Sequence, residues 1–110
     1  MIEDTIQRIE ARLASAEHLS AERRAELLEL LQTLRAEVTA LSPAHAERAQ
    51  SLAAHAEAST AAAISASTDT GTLQRSLRGM TDSVEGFEDS HPRLVQTVSA
   101  ISHALSNLGI

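Results

Sequence analysis

The residues that could do metal or acid–base chemistry are few and scattered along the chain. The five histidines are His18, His45, His55, His91 and His103. No two of them lie three or four residues apart, the spacing that places two imidazoles on one helical face where both can bind one metal ion. The sequence therefore predicts no metal site.

One short stretch, Glu88, Asp89 and His91, brings titratable side chains together. General acid–base catalysis also needs a concave pocket and a partner that orients the base. None of the four glycines belongs to a phosphate-binding loop, and no serine occupies the centre of a Gly-x-Ser-x-Gly turn. We therefore interpret this stretch as a solvated helix junction. We predict no catalytic residue, no cofactor-binding residue, no cofactor and no enzyme activity.

The helices that carry these residues are indicated by apolar side chains at spacings of three and four. A short first helix contains Ile2, Ile6, Ile9 and Leu13. A turn near His18 and an N-cap at Ser20 precede the second helix. The second helix repeats large apolar side chains on one face: Leu27, Leu31, Leu34, Val38 and Leu41. Residues 1–41 are thus predicted to form a helical hairpin.

The middle of the chain, residues 43–66, is predicted to be an Ala-rich helix. Ser42 and Pro43 are typical of a helix start. The seven-residue rhythm continues here with small side chains: Ala46, Ala49, Ala53, Ala56, Thr60 and Ala63. We expect a weakly packed, solvated helix; the alternative is a seam that lets another helix approach closely. Residues 67–72 contain helix-breaking residues and are predicted to be a flexible connection.

Residues 73–110 are predicted to form a C-terminal helix pair, with Ser90 as the cap of the last helix and Pro92 in its first turn. The pair is either a hairpin or one kinked helix. Its two apolar stripes have coiled-coil spacing. They are our candidates for the surface that binds another chain: Leu73, Leu77, Met80, Val84, Phe87, Leu94, Val98, Ile101, Leu105 and Leu108.

Composition narrows the class of protein. The chain has 110 residues, a formal net charge of −6, one aromatic residue (Phe87) and no cysteine. An acidic chain is a poor match for nucleic acid or for an anionic membrane surface, since both select cationic side chains. The N-terminus lacks a signal-peptide pattern, and the apolar run near the C-terminus is too polar to span a bilayer. We expect a soluble cytoplasmic protein that binds neither nucleic acid nor membrane.

The C-terminal stretch Phe87-Glu88-Asp89-Ser90-His91-Pro92, followed by Leu94 and the closing Leu108-Gly109-Ile110, resembles the signature of a protein family. The family consists of small bacterial proteins catalogued as domain of unknown function 4404. The resemblance implies a small helical bacterial protein and implies no activity.

The sequence predicts an all-α fold with four or five amphipathic helices in an antiparallel bundle or paired hairpins. A small domain with thin side chains in its core often pairs with a second copy. We therefore predict a non-catalytic structural or protein-interaction module that forms a homodimer or higher oligomer through its heptad stripes. Two alternatives stay open: an adaptor that presents a helix face to another protein, and a binder of an apolar small molecule or lipid.

Overall fold

The computed structural model of the chain describes residues 2–17, 19–64 and 70–108. Within these residues there are five α-helices and one short 3-10 turn, and no β-strand. The elements are α1 Ile2–Ser15, α2 Ala21–Thr39, the turn Pro43–His45, α3 Ala46–Ile64, α4 Thr70–Asp82 and α5 Pro92–Leu108. The predicted all-α fold is confirmed.

Helices α1 and α2 form an antiparallel hairpin whose turn is held by two side chains. The Ser20 hydroxyl accepts a hydrogen bond from the Arg23 amide at 3.2 Å, which caps α2 as predicted. The half-buried Arg24 side chain donates from Nε to the Leu13 carbonyl at 2.9 Å and from Nη2 to the Ala16 carbonyl at 2.6 Å. The Leu13 carbonyl also accepts the Ala16 amide at 3.4 Å, and Ala16 lies just beyond α1, so Arg24 adds hydrogen bonds at the end of the helix that precedes its own.

Charged side chains fasten α1 to its two neighbours. The Arg8 guanidinium donates to both carboxylate oxygens of Glu57 on α3, at 2.8 and 3.3 Å, and Arg35 on α2 pairs with Glu10 at 2.7 Å. The hydrogen bond from Arg8 lowers the pKa of Glu57 below its ordinary value. A lowered carboxyl pKa stabilises the fold above the ordinary pKa, and this contribution disappears as the pH falls through the lowered value.

The Ala-rich helix α3 is packed tightly, contrary to the weak packing we expected. It touches α1, α4 and α5, and its contact with α4 is the most extensive between any two described elements. Seven of its side chains are buried: Ala49, Leu52, Ala53, Ala56, Ser59, Thr60 and Ala63. Small side chains bury little area each, but they allow neighbouring helix backbones to come close on several sides. The periodicity therefore marked a close-packed seam.

Helix α4 ends at Asp82, earlier than the apolar stripe suggested. In the turns that follow, Gly86 adopts a φ of +98°, a left-handed conformation that glycine tolerates. Val84 and Phe87 still reach the core from the turns that follow the helix. The apolar stripe therefore predicted the burial of Val84 and Phe87 correctly, but it predicted too long a helix.

Helices α4 and α5 are separate and packed against each other, joined by residues 83–91, so they are not one kinked helix. α5 begins at Pro92, and the carbonyl of His91 accepts the amide of Val95 at 3.3 Å. His91 therefore occupies the capping position that we had predicted for Ser90, because Pro92 sets the first helical residue.

The ends of two predicted segments lie partly outside the described residues. Residues 65–69 are outside them, and α4 begins at Thr70, so residues 70–72 of the predicted connection are its first turn. Gly109, at which we expect the last helix to stop, and the side chain of Leu108 are also outside them. No helix in the described ranges has the length and hydrophobicity needed to cross a bilayer.

Candidate functional site

The predicted assembly residues lie inside the chain's own core. Leu77 is half-buried, and the side chain of Leu108 is outside the described residues. The other eight are at most 4% exposed: Leu73, Met80, Val84, Phe87, Leu94, Val98, Ile101 and Leu105. They belong to one continuous apolar cluster to which all five helices contribute side chains. Within one chain these eight side chains are therefore covered by the chain itself.

The Glu88–His91 stretch is a turn whose side chains serve local structure. Glu88 and Asp89 are exposed, and a Glu88 carboxylate oxygen accepts the Gly86 amide at 2.8 Å. His91 packs edge-on against the Phe87 ring, with centroids 5.6 Å apart. In the described ranges no three His, Asp or Glu side chains are grouped so that they could hold a metal ion.

Phe87 is the centre of a small ring cluster that joins this turn to the start of α3. The imidazole of His45 meets it edge-on at 4.9 Å, and the guanidinium of Arg48 lies 4.6 Å from the ring centroid. A cation over an aromatic face is attracted by the ring's negative quadrupole. Arg48 also donates from Nη2 to the carbonyl of Glu85. Arg48 is thereby held in one orientation although it is exposed.

On the side of Arg48 away from the core, an open polar groove runs between α3 and α4. Arg48, Ser51 and His55 line it from α3, and they share one helical face because their spacings are three and four. The α4 side is lined by three further residues: Gly79, Asp82 and Ser83. The volume is about 350 Å³. We call it the Arg48–His55 groove.

The absence of a side chain at residue 79 makes room for the imidazole of His55. A Cβ atom at Gly79 would lie 2.6 Å from both Cε1 and Nδ1 of His55, closer than packed atoms approach. The half-buried imidazole therefore rests directly on the backbone of α4. This contact also shows that α3 and α4 run antiparallel, since Ser51 lies opposite Ser83 one turn further along.

The polar groups of the groove keep unused hydrogen-bonding capacity. The Ser83 hydroxyl donates to the Gly79 carbonyl at 2.8 Å and lies 3.4 Å from the Ser51 hydroxyl. Among the described residues, none hydrogen-bonds to the imidazole of His55 or to the carboxylate of Asp82. A neutral imidazole has one donor and one acceptor nitrogen, and a carboxylate accepts on both oxygens. The positive charge of Arg48, the negative charge of Asp82, and hydrogen-bond donors and acceptors are therefore available to a bound molecule.

A family model described as Domain of unknown function (DUF4404) matches residues 27–110. The chain belongs to this family. The match includes the C-terminal signature on which the resemblance rested. No curated protein and no solved structure matches the sequence.

In this DUF4404 protein the matched range contains the whole Arg48–His55 groove and the Phe87 ring cluster. It leaves out α1 and the beginning of α2. The family signature around Phe87 therefore has a structural explanation here. It supplies the ring that orients Arg48 and the turn that leads into α5.

Sequence reasoning had not singled out Arg48, Ser51 or His55 as a site. Their signal was present as polar residues at i, i+3 and i+7 beside the Ala stripe of α3. Gly79 gave a second signal, because a glycine inside a predicted helix marks either instability or close helix contact. Neither signal identifies which two helices meet, so the groove could not be assembled from the sequence.

The contact between His55 and Gly79 predicts an interaction between two substitutions. In a His55→Ala background, Gly79→Ala should raise the free energy of unfolding by up to about 1 kcal/mol, because alanine favours helix. With His55 present the new Cβ displaces the imidazole, so that gain should be lost or reversed. Urea unfolding of the four variants, followed by far-UV circular dichroism, measures the coupling. Equal effects of Gly79→Ala in both backgrounds would contradict the contact.

Proposed function

We propose that this protein is a non-catalytic interaction module that associates with a second copy of itself through the exposed face of α5. This face, the α5 outer face, is made of Gln96, Ser99, Ala100, His103 and Asn107. The observation that carries the proposal is the absence of any Asp, Glu, Lys or Arg from an exposed helical face of an acidic protein.

The α5 outer face differs from the exposed faces of the other four helices. Exposed charged side chains occur on each of those: Arg12 on α1, Glu26 on α2, Glu47 on α3 and Arg78 on α4. On α5 the only such residue is Arg93, in the first turn. The opposite face of α5 is buried in the core through the Leu94–Leu105 stripe, so the position of the α5 outer face is fixed by the fold.

A second copy of this chain is the partner that the charge distribution fits. Each copy carries a formal charge of −6, so two copies repel wherever their acidic surfaces face each other. A symmetric dimer places the same patch of each chain against itself, and a neutral patch avoids the repulsion. The centres of protein interfaces are depleted of charged residues. Ser99 and Ala100, both small, occupy the middle of the face and allow two helices to approach closely.

The mass in solution tests this proposal. We expect light scattering at micromolar to millimolar concentration to give a mass above the 11.7 kDa of one chain. Ala100→Glu introduces like charges at the middle of the interface and should weaken association by about tenfold or more. Refractive index must be used for detection, because the chain has no Trp and no Tyr.

The matched control is Ala36→Glu, which adds the same charge at an exposed position of α2. It should leave the association constant within about twofold, since rim and distant charges act weakly through solvent. A monodisperse monomer at every concentration would overturn self-association. Equal weakening by both substitutions would place the interface elsewhere than on α5.

A further inference from the structure

We propose that the Arg48–His55 groove binds a small zwitterion that carries a carboxylate and a protonated amine, as a free amino acid does. The proposal rests on what the groove holds: a cation on α3, an anion on α4, and uncommitted donors and acceptors between them. It is independent of the dimer, because no residue of the groove belongs to α5.

The cationic side of the groove is pre-organised for a carboxylate. The Arg48 guanidinium lies over the Phe87 ring and donates a hydrogen bond to the carbonyl of Glu85. This bond uses one of the five N–H donors of the guanidinium. The remaining donors keep the planar fork that matches a carboxylate in two parallel hydrogen bonds. A side chain already held in place loses less conformational entropy when a ligand binds.

The anionic side of the groove explains why the ligand should carry both charges. Asp82 lines the groove from α4 and is exposed, with no ion pair to any described residue. A simple anion such as phosphate would be repelled by this carboxylate, and a simple cation would be repelled by Arg48. A zwitterion can satisfy both residues at once. His55 and Ser51 offer further hydrogen bonds to its polar atoms.

The groove has a volume that suits a small molecule. Its volume of about 350 Å³ is near the lower end of known ligand pockets. The groove is also open to solvent along α3 and α4, so water competes for every hydrogen bond. We therefore expect dissociation constants of about 10 µM to 1 mM and recognition of the two charged groups rather than of a long side chain.

The experiment is titration of the ¹⁵N-labelled protein with a panel of free L-amino acids, followed by NMR. For at least one amino acid we expect saturable shifts in the amides of residues 48–55 and 79–83. N-acetylation of that amino acid, which removes its positive charge, should weaken binding by about tenfold or more, and amidation of its carboxylate should do the same. These two analogues test the wild-type protein and need no variant.

Two substitutions and two controls locate the site. Asp82→Asn and Arg48→Gln should each weaken binding by about tenfold. Asp89→Asn and Arg93→Gln make the same charge changes at exposed positions away from the groove and should leave binding unchanged. Because Arg48 also contacts Phe87, its variant is compared only after its spectrum shows a folded protein, and Asp82→Asn carries the test otherwise. No saturable shift with any amino acid, equal binding of the acetylated analogue, or shifts away from the groove would overturn the proposal.

Discussion

Replacing Phe87 with alanine should lower the free energy of unfolding by about 3–5 kcal/mol, the range for a buried Phe truncated to Ala. The ring is 3% exposed and is surrounded by His45, His91 and Arg48. Its removal leaves a cavity at the place where the turn after α4 joins α3. Because small domains have a total stability of about 5–15 kcal/mol, this one change should take a large share of it. Urea unfolding followed by far-UV circular dichroism measures the loss.

Phe87→Leu is the matched control, since it keeps an apolar side chain but removes the aromatic face. We expect it to be less destabilising than Phe87→Ala. NMR should nevertheless show that the Arg48 side chain is less ordered, because the cation–π contact is gone. If Phe87→Ala lowered stability by less than about 1 kcal/mol, the ring cluster would not be an organising contact of the fold.

Truncation of Leu105 to alanine should cost about 2–5 kcal/mol. Leu105 is fully buried towards the C-terminal end of the stripe by which α5 contacts the rest of the bundle. Its removal deletes carbon atoms from a site that neighbouring helices cannot easily close. Thermal and urea unfolding both report the change. The matched control is Gln74→Ala at an exposed position of α4, which should stay within about 0.5 kcal/mol of the wild type.

A second comparison asks which helix organises the bundle. Both α3 and α5 touch three other helices. Ala53 on α3 is only 3% exposed, so Ala53→Ser buries a hydroxyl in a tight contact. If Ala53→Ser proved more destabilising than Leu105→Ala, the small-residue seam of α3 would be the central element.

The presence of each helix could be predicted because apolar residues recur within it at spacings of three and four. Ile6, Ile9 and Leu13 are all 1% exposed, as their spacing on α1 predicted. The cap at Ser20 was also predictable, because capping depends on a few consecutive residues. Local rules of this kind need no knowledge of which helices touch.

The sequence could not predict the features that depend on which helices pack against each other. Val84 and Phe87 continue the α4 stripe in spacing, yet α4 ends at Asp82 and both residues lie in the turns that follow, where Gly86 is left-handed. The Ala period of α3 identified the buried face but not how close α4 would approach. The groove depends on that approach, because His55 and Gly79 are brought together only by the antiparallel packing of α3 on α4.

The Arg24 contacts bear on how much of the chain is needed to form the core. The family match begins at Leu27, three residues after Arg24, and so omits both α1 and the side chain that donates to carbonyls near its C-terminal end. Yet α1 packs on α2 and α3 and contributes Ile9 and Leu13 to the shared core. The core of this chain thus extends beyond the residues that the family model matches. A fragment of residues 27–110 would therefore leave the sides of α2 and α3 that face α1 uncovered.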